Sequence, residues 1–337
     1  MATDQIEVEW QYAALDTRPV VRWLQTSLPA GFELERVGFK ELEDTYFDTD
    51  DWRLNRAGYT CRIRSKGDSS ELTLKSMAES SGGMRSRREL TEVLESPSVR
   101  PTEAPGQCGA IIRAVAGRSP VEAQFRLETH REVFNLSDAE GLLAEIAVDE
   151  TSIPVGEDRP VRLSRVEIEV DAAAVERARA FVAAMVSANH LTEAGTSKFE
   201  AALIATGKSV PTRNGKFGAT TVSPEMTAGE VAYAVLRKQF GVLEENEPGT
   251  RLGEDIEALH DMRVATRRMR AALAAFRPVL TPRMLRFRDQ FGWVASALGE
   301  VRDLDVQLER MHEWRANFPA ERAAALEGVE EVLNARR

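Results

Sequence analysis

Two cysteines are all that 337 residues contain, and Cys61 and Cys108 stand at neither a metal-ligand nor a redox spacing. Both therefore read as reduced packing residues, and a disulfide scaffold is excluded. Histidine is as scarce. His130, His190, His260 and His312 are scattered with no His-x-x-x-His pair, so a zinc site is not expected and any metal should be held by oxygen. No Gly-x-x-x-x-Gly-Lys loop is present, and no Ser-His-Asp set can be assembled. Positive charge is also short: the formal net charge is -10 with pI near 5.2, which argues against broad nucleic-acid binding and confines any polyanion site to a local patch. No apolar run is long enough to span a bilayer, and the start, Met-Ala-Thr-Asp, lacks a basic region followed by an apolar core. A cytoplasmic protein that binds neither membrane nor nucleic acid is the expectation.

What is present is alternation. In residues 6–11, Ile-Glu-Val-Glu-Trp-Gln, a strand would project Glu7, Glu9 and Gln11 to one face. Side-by-side carboxylates repel unless water, a cation or basic groups neutralise them. Later segments carry the opposite sign with the same period: Arg62 and Arg64, then Glu71 with Lys75, then Arg85, Arg87 and Glu89. Acids return as Glu145 with Asp149, and as Glu167 and Glu169 beside Arg165. Taken singly, each strand fits a solvated outer face. Taken together, they predict a polar-lined antiparallel barrel able to hold cations and a polyanion at once.

This ordered series resembles the CYTH family of triphosphate tunnel metalloenzymes, which includes inorganic and thiamine triphosphatases and a class of adenylyl cyclases. The resemblance is carried by Glu7 and Glu9, by Tyr-Phe-Asp-Thr at 46–49, by Arg62 and Arg64, and by Leu-Thr-Leu-Lys at 72–75. It continues through Arg87 with Glu89, Glu145 with Asp149, Glu167 with Glu169, and Ser197 with Lys198. It implies an α+β fold over residues 1–205, an antiparallel eight-stranded β tunnel with cover helices. It also implies Glu7, Glu9, Asp149, Glu167 and Glu169 as ligands of Mg2+ or Mn2+, and Arg62, Arg64, Lys75, Arg87 and Lys198 as the phosphate cradle. Arg131 is a weaker candidate, because Arg126, Glu128 and His130 leave the inward member of that strand open, and Glu145 and Arg165 could simply balance charge. Glu7, Glu9 and Gln11 form the implied catalytic strand. At the third position the family has lysine and this chain has Gln11, which puts the family's water-activating charge in doubt.

Helical spacing predicts cover helices over 16–28 and 172–189. Ser-Ser-Gly-Gly at 80–83 reads as a hairpin turn, and 207–218, rich in turn formers, as a linker placed within 206–222. From 223 to 337 an all-α bundle is expected, with helices over 227–243, 256–276, 282–301 and 304–318. In the second, His260, Arg263, Arg267 and Arg270 stack on one face, and like charges at that spacing call for a counter-anion. That stretch, with Leu-Gly-Glu-Val-Arg-Asp-Leu-Asp at 298–305, resembles about one half of a CHAD domain, an all-helical module associated with inorganic polyphosphate. Three functions stay open: hydrolysis of inorganic triphosphate, a catalytically weak polyphosphate-binding or localising module, and an adenylyl cyclase or thiamine triphosphatase of the same fold.

Overall fold

The computed structural model describes residues 3–66, 69–77, 83–96, 98–157, 159–210, 216–319 and 326–336. The expected turn at 80–83 therefore lies outside the described residues except for Gly83, and so do residues 211–215 of the expected linker. The chain divides into two compact units, Met1–Val210 and Pro211–Arg337.

The first unit is a closed antiparallel barrel. Its strands are β1 (Thr3–Ala13), β2 (Glu33–Asp48), β3 (Tyr59–Lys66), β4 (Ser69–Ser76), β5 (Met84–Leu94), β6 (Glu122–Asp138), β7 (Gly141–Ile153) and β8 (Val161–Val170). They lie in the order β5-β4-β3-β2-β6-β7-β8-β1, and β1 closes the ring by pairing with β5. A two-residue strand, β9 (Thr192–Glu193), adds to β1. Closure leaves the long strands without free edges.

The usual distribution of polarity is inverted, with the apolar core outside the ring. Val8, Trp10 and Tyr12 on β1 join Ile146 and Val148 on β7 and Val166, Ile168 and Val170 on β8 in one buried cluster. Two helices cover it, α1 (Arg18–Thr26) through Val20 and Leu24, and α4 (Val175–Asn189) through Ala178, Phe181 and Met185. Both sit inside the ranges read from periodicity. Pro19 preorganises the first turn of α1, and the Asp171 carboxylate accepts from the Ala173 amide ahead of α4. Two further helices, α2 (Arg53–Arg56) and α3 (Gln107–Ala116), have no counterpart in the periodicity reading. The last helix of this unit, α5 (Lys198–Ala205), opens with a capping box between Ser197 and Glu200 and packs Phe199 against Tyr46, Trp52 and Phe125.

The second unit is helical: α6 (Ala228–Leu252), α7 (Ile256–Ala275), α8 (Pro282–Leu285), α9 (Phe287–Asn317) and α10 (Glu327–Arg336). Its core joins Ala232 and Leu236 of α6 to Met269, Ala272 and Leu273 of α7, with Leu280. Two helix expectations are corrected. The helix expected to end at 243 runs on to Leu252, through Pro248, and stops at Gly253 with φ 77°. The two helices expected over 282–301 and 304–318 become the short α8, capped by Thr281, and a continuous α9. Nothing between 301 and 304 breaks the ladder, since neither proline nor a cap stands there. Among the described residues no helix is long and apolar enough to cross a membrane.

Candidate active site

The inward-facing side chains line a cavity of about 390 Å³. Its walls differ in sign. From β7, β8 and β1, which are consecutive in the ring, come Glu145, then Glu167 and Glu169, then Glu7 and Glu9. From β6, β2 and β3, also consecutive, come Arg131, then Lys40, then Arg62, Arg64 and Lys66. Strands β4 and β5 contribute both signs through Glu71, Lys75, Arg85, Arg87 and Glu89. An acidic wall therefore faces a basic one.

The two walls meet in ion pairs. Lys75 Nζ donates to both oxygens of Glu7 at 2.8 Å and lies 2.9 Å from Glu89. Arg87 Nε donates to Glu7 at 3.0 Å, its Nη2 to Glu9, and the Gln11 amide gives Glu9 a further bond at 2.8 Å. Arg131 grips Asp149 bidentately at 2.8 and 2.6 Å and reaches Glu167 at 2.6 Å. Lys198, the first residue of α5, bonds to the same Asp149 and stands 2.9 Å from Glu167. Arg64 holds Asp44 bidentately at 2.7 and 2.8 Å, with Arg62 at 3.5 Å.

Electrostatics separates the carboxylates into two kinds. Burial would raise Glu167, but the charges of Lys198 and Arg131 hold it well below its ordinary range. Glu89 behaves alike: burial opposes, Lys75 wins by charge and hydrogen bond, and its carboxyl falls to about 2. Glu9 and Glu169 go the other way. Burial raises Glu9, and the charges of Glu167 and Glu7 outlast the opposing pull of Arg87. Glu169, raised first by burial and then by Glu7, reaches about 7, with Glu89 and Glu9 adding and Lys75 opposing. Glu169 makes no ion pair among the described residues. In register it lies directly between Glu9 on β1 and Glu145 on β7, so three carboxylates form a row across neighbouring strands. Such oxygen donors fit a hard divalent cation chemically, and the excess charge at Glu169 is what a cation would relieve. Among the described residues no three His, Cys, Asp or Glu side chains are already grouped as a metal site.

The structure thus brings Glu7, Glu9, Gln11, Arg62, Arg64, Lys75, Arg87, Arg131, Glu167, Glu169 and Lys198 to one cavity. Asp149 stands apart: its side chain is fully enclosed beneath Arg131 and Lys198. The open question at Arg131 resolves inward, because Arg131 lines the cavity and bonds to Asp149 and Glu167, whereas Phe134 and Leu136, which share the parity of His130, belong to the outer core. Glu145 balances Lys40 at 3.9 Å, and Arg165 donates to the Thr196 carbonyl at 2.6 Å. Sequence reasoning missed Asp44, Lys40 and Arg85 as site residues. Arg85 was visible by its period with Arg87 and Glu89. Asp44 shows only through its cross-strand partner Arg64.

His260, Arg263, Arg267 and Arg270 lie on α7 of the second unit. His260 is half-buried and the three arginines are exposed; among the described residues no carboxylate pairs with them. Arg263 and Arg270 lie beside Gly299 and Gly292 of α9, where a Cβ would meet their guanidinium groups at 3.9 and 3.7 Å.

A closed antiparallel barrel with its charge inside and its apolar core outside defines a β tunnel built for charged ligands. The chain belongs to the CYTH family: the CYTH domain model matches residues 19–201, and a CHAD domain follows at 234–337. Strand β1 precedes the matched span and enters the tunnel by pairing with β5 and β8. No curated protein matches the chain. Among solved structures it is similar to a candidate adenylyl cyclase from Hippeastrum described as having a dominant triphosphatase activity, at 19% identity over 61% of this chain and 98% of that one, TM-score 0.41. It is also similar to a candidate adenylate cyclase from Bacillus halodurans (19% identity, 59% and 97%, TM-score 0.43) and to the Mimivirus capping enzyme triphosphatase (9%, 54% and 91%, TM-score 0.31).

Proposed function

We propose that the tunnel hydrolyses inorganic triphosphate with Mg2+ or Mn2+, and that the helical unit binds inorganic polyphosphate. The observation that carries the first part is the facing of an acidic and a basic wall across one cavity. A basic wall alone suits an anion and an acidic wall alone a cation. Both together suit an anion that arrives with cations. Arg62, Arg64, Lys75, Arg87, Arg131 and Lys198 would take phosphoryl oxygens by charge-assisted hydrogen bonds. Glu7, Glu9, Glu167 and Glu169 would hold the divalent cation, and Asp149 is better placed to orient Arg131 and Lys198 beneath them. Bound there, the cation would supply charge neutralisation at phosphorus and a more acidic water. The protein's own contribution is positioning and preorganised charge.

The second reading, a tunnel that binds but turns over slowly, is favoured by Gln11. Its amide donates to Glu9 and has no proton equilibrium useful to a general base. For the helical unit, the exposed run Arg263, Arg267 and Arg270 supports a polyanion surface. The deciding experiment is phosphate release from triphosphate, ATP and thiamine triphosphate side by side, with and without Mg2+ or Mn2+. Metal-dependent release strongest from inorganic triphosphate is expected, and it should be lost in Glu7→Ala. Metal-independent release, or full activity in that variant, refutes the assignment. Tight triphosphate binding without release would leave the second reading.

A further inference from the structure

Among the described residues nine basic side chains line the tunnel cavity. Eight of them stand within 3.9 Å of a carboxylate. Arg85 is the exception. It is only 8% exposed, it has neither ion pair nor side-chain hydrogen bond among the described residues, and its Nε–H is shut off from water without an acceptor. Burying a guanidinium in this way is unfavourable unless something anionic completes it.

Among the described residues no carboxylate pairs with it. The register partner of Arg85 on β1 is Glu9, whose carboxylate is already occupied by Arg87 and the Gln11 amide. Gln11 lies beside Gly83, its backbone N–H donating to the Gly83 carbonyl at 2.9 Å, so Arg85 is the nearest inward side chain on β5. Arg165 of β8 is a second cation at this end. It spends its donors on the Thr196 carbonyl at 2.6 Å and hydroxyl at 3.3 Å and meets no carboxylate.

We propose that Arg85 is a phosphate-binding residue that forms an oxyanion subsite at the Gln11 end of the cavity and takes one end of a condensed-phosphate chain. This rests on the triphosphate reading and adds a residue outside the cradle that the family resemblance implies. A phosphoryl oxygen would accept from the free Nε–H and from the outer guanidinium nitrogens together, the fork geometry that distinguishes arginine from lysine.

The test is calorimetric titration of inorganic triphosphate into the full chain in chelator, where binding proceeds without turnover. Arg85→Gln and Arg85→Lys are compared with Arg62→Gln as a cradle control. Arg85→Gln is expected to weaken binding about tenfold or more, and Arg85→Lys to retain part of that loss because charge remains without the fork. Arginine Nε-labelled protein supplies a reading that a structural role would not move. The Nε–H resonance that vanishes in Arg85→Lys should shift on adding triphosphate to the unaltered chain. Loss of binding in Arg62→Gln with unchanged affinity in folded Arg85→Gln, or with a stationary Arg85 resonance, overturns the subsite and leaves the triphosphate reading standing. Failure of the unaltered chain to bind triphosphate, in chelator and with added Mg2+ alike, overturns both.

Discussion

Replacing Glu169 by glutamine should stabilise the metal-free protein at alkaline pH while removing activity. Glu169 is raised to about 7, first by burial and then by the charge of Glu7. In the unfolded chain the carboxyl would lose its proton near its ordinary 4.5. Between those values the unfolded form binds fewer protons than the folded one, so stability falls as pH rises through that window and the full cost is reached above about pH 7. At about 1.4 kcal/mol per pH unit the difference amounts to about 3 kcal/mol in a dry site. Glu169 is open to water in the cavity, and screening reduces this to about 1–2 kcal/mol. For a unit of this size that is a midpoint gain of about 3–6 °C. The assay is calorimetric melting of the full chain and of Glu169→Gln in chelator at pH 4.5 and pH 8. A gain at pH 8 that vanishes at pH 4.5 is expected, and added Mg2+ or Mn2+ should stabilise the unaltered chain more than the variant. Equal gains at both pH values, or a loss at pH 8, would refute the argument that Glu169 is held ionised against its surroundings.

Gln11→Lys, measured as steady-state phosphate release from triphosphate, should raise turnover by up to about a hundredfold if a cation at that position assists water activation; an unchanged rate in folded protein excludes that role. Asp149→Asn removes the fully buried anion shared by Arg131 and Lys198, and should cost about 3 kcal/mol in denaturant titration; a smaller loss than that of an exposed pair such as Arg18 with Asp16 contradicts the ion-pair scheme. Gly109→Ala places a Cβ 2.0 Å from the Ala104 carbonyl oxygen, so α3 must shift and thermal stability should drop by about 1–3 kcal/mol.

The charged wall of the tunnel was legible because a strand with period two separates its faces, and Glu7, Glu9 and Gln11 needed only parity to be assigned to one side. Parity failed at Arg131, where β6 carries charge on both faces and only its ion pairs with Asp149 and Glu167 decide. Nor could parity show which charge meets which. Lys75 reaches Glu7, and Arg131 reaches Asp149 and Glu167, through strand register and barrel closure. The enclosure of Asp149 beneath two cations follows from that register and from α5 presenting Lys198, neither of which leaves a local signal. In the helical unit the period was right and the punctuation wrong: α9 carries apolar residues through 301–304 without a breaker, so its ladder continues. Helix α3 stayed hidden because Gly109 sits in its first turn, where glycine lowers helix propensity but close packing on Ala104 requires it.

The pairing inside the tunnel constrains how the proposed function can work. Among the described residues nine basic and eight acidic side chains line the cavity, so its lining is nearly neutral and most of its cations are already engaged. A triphosphate entering alone would have to strip Lys75 and Arg87 from Glu7 and Glu9, and Arg131 and Lys198 from Glu167, leaving buried carboxylates without partners. A divalent cation entering alone would free the same basic groups. Entering together, the anion takes the cations of one wall and the metal takes the carboxylates of the other, and no buried charge is orphaned. On the proposed function the two ligands must therefore favour each other's binding, reciprocally and by the same factor. Among the lining charges Arg85, Glu169 and Glu200 have no ion-pair partner among the described residues; Glu200 is engaged in the capping box of α5, which leaves Arg85 and Glu169 as the basic and the acidic group that no exchange has to release. They are where a phosphate and a cation can first be held before the paired groups between them change partners.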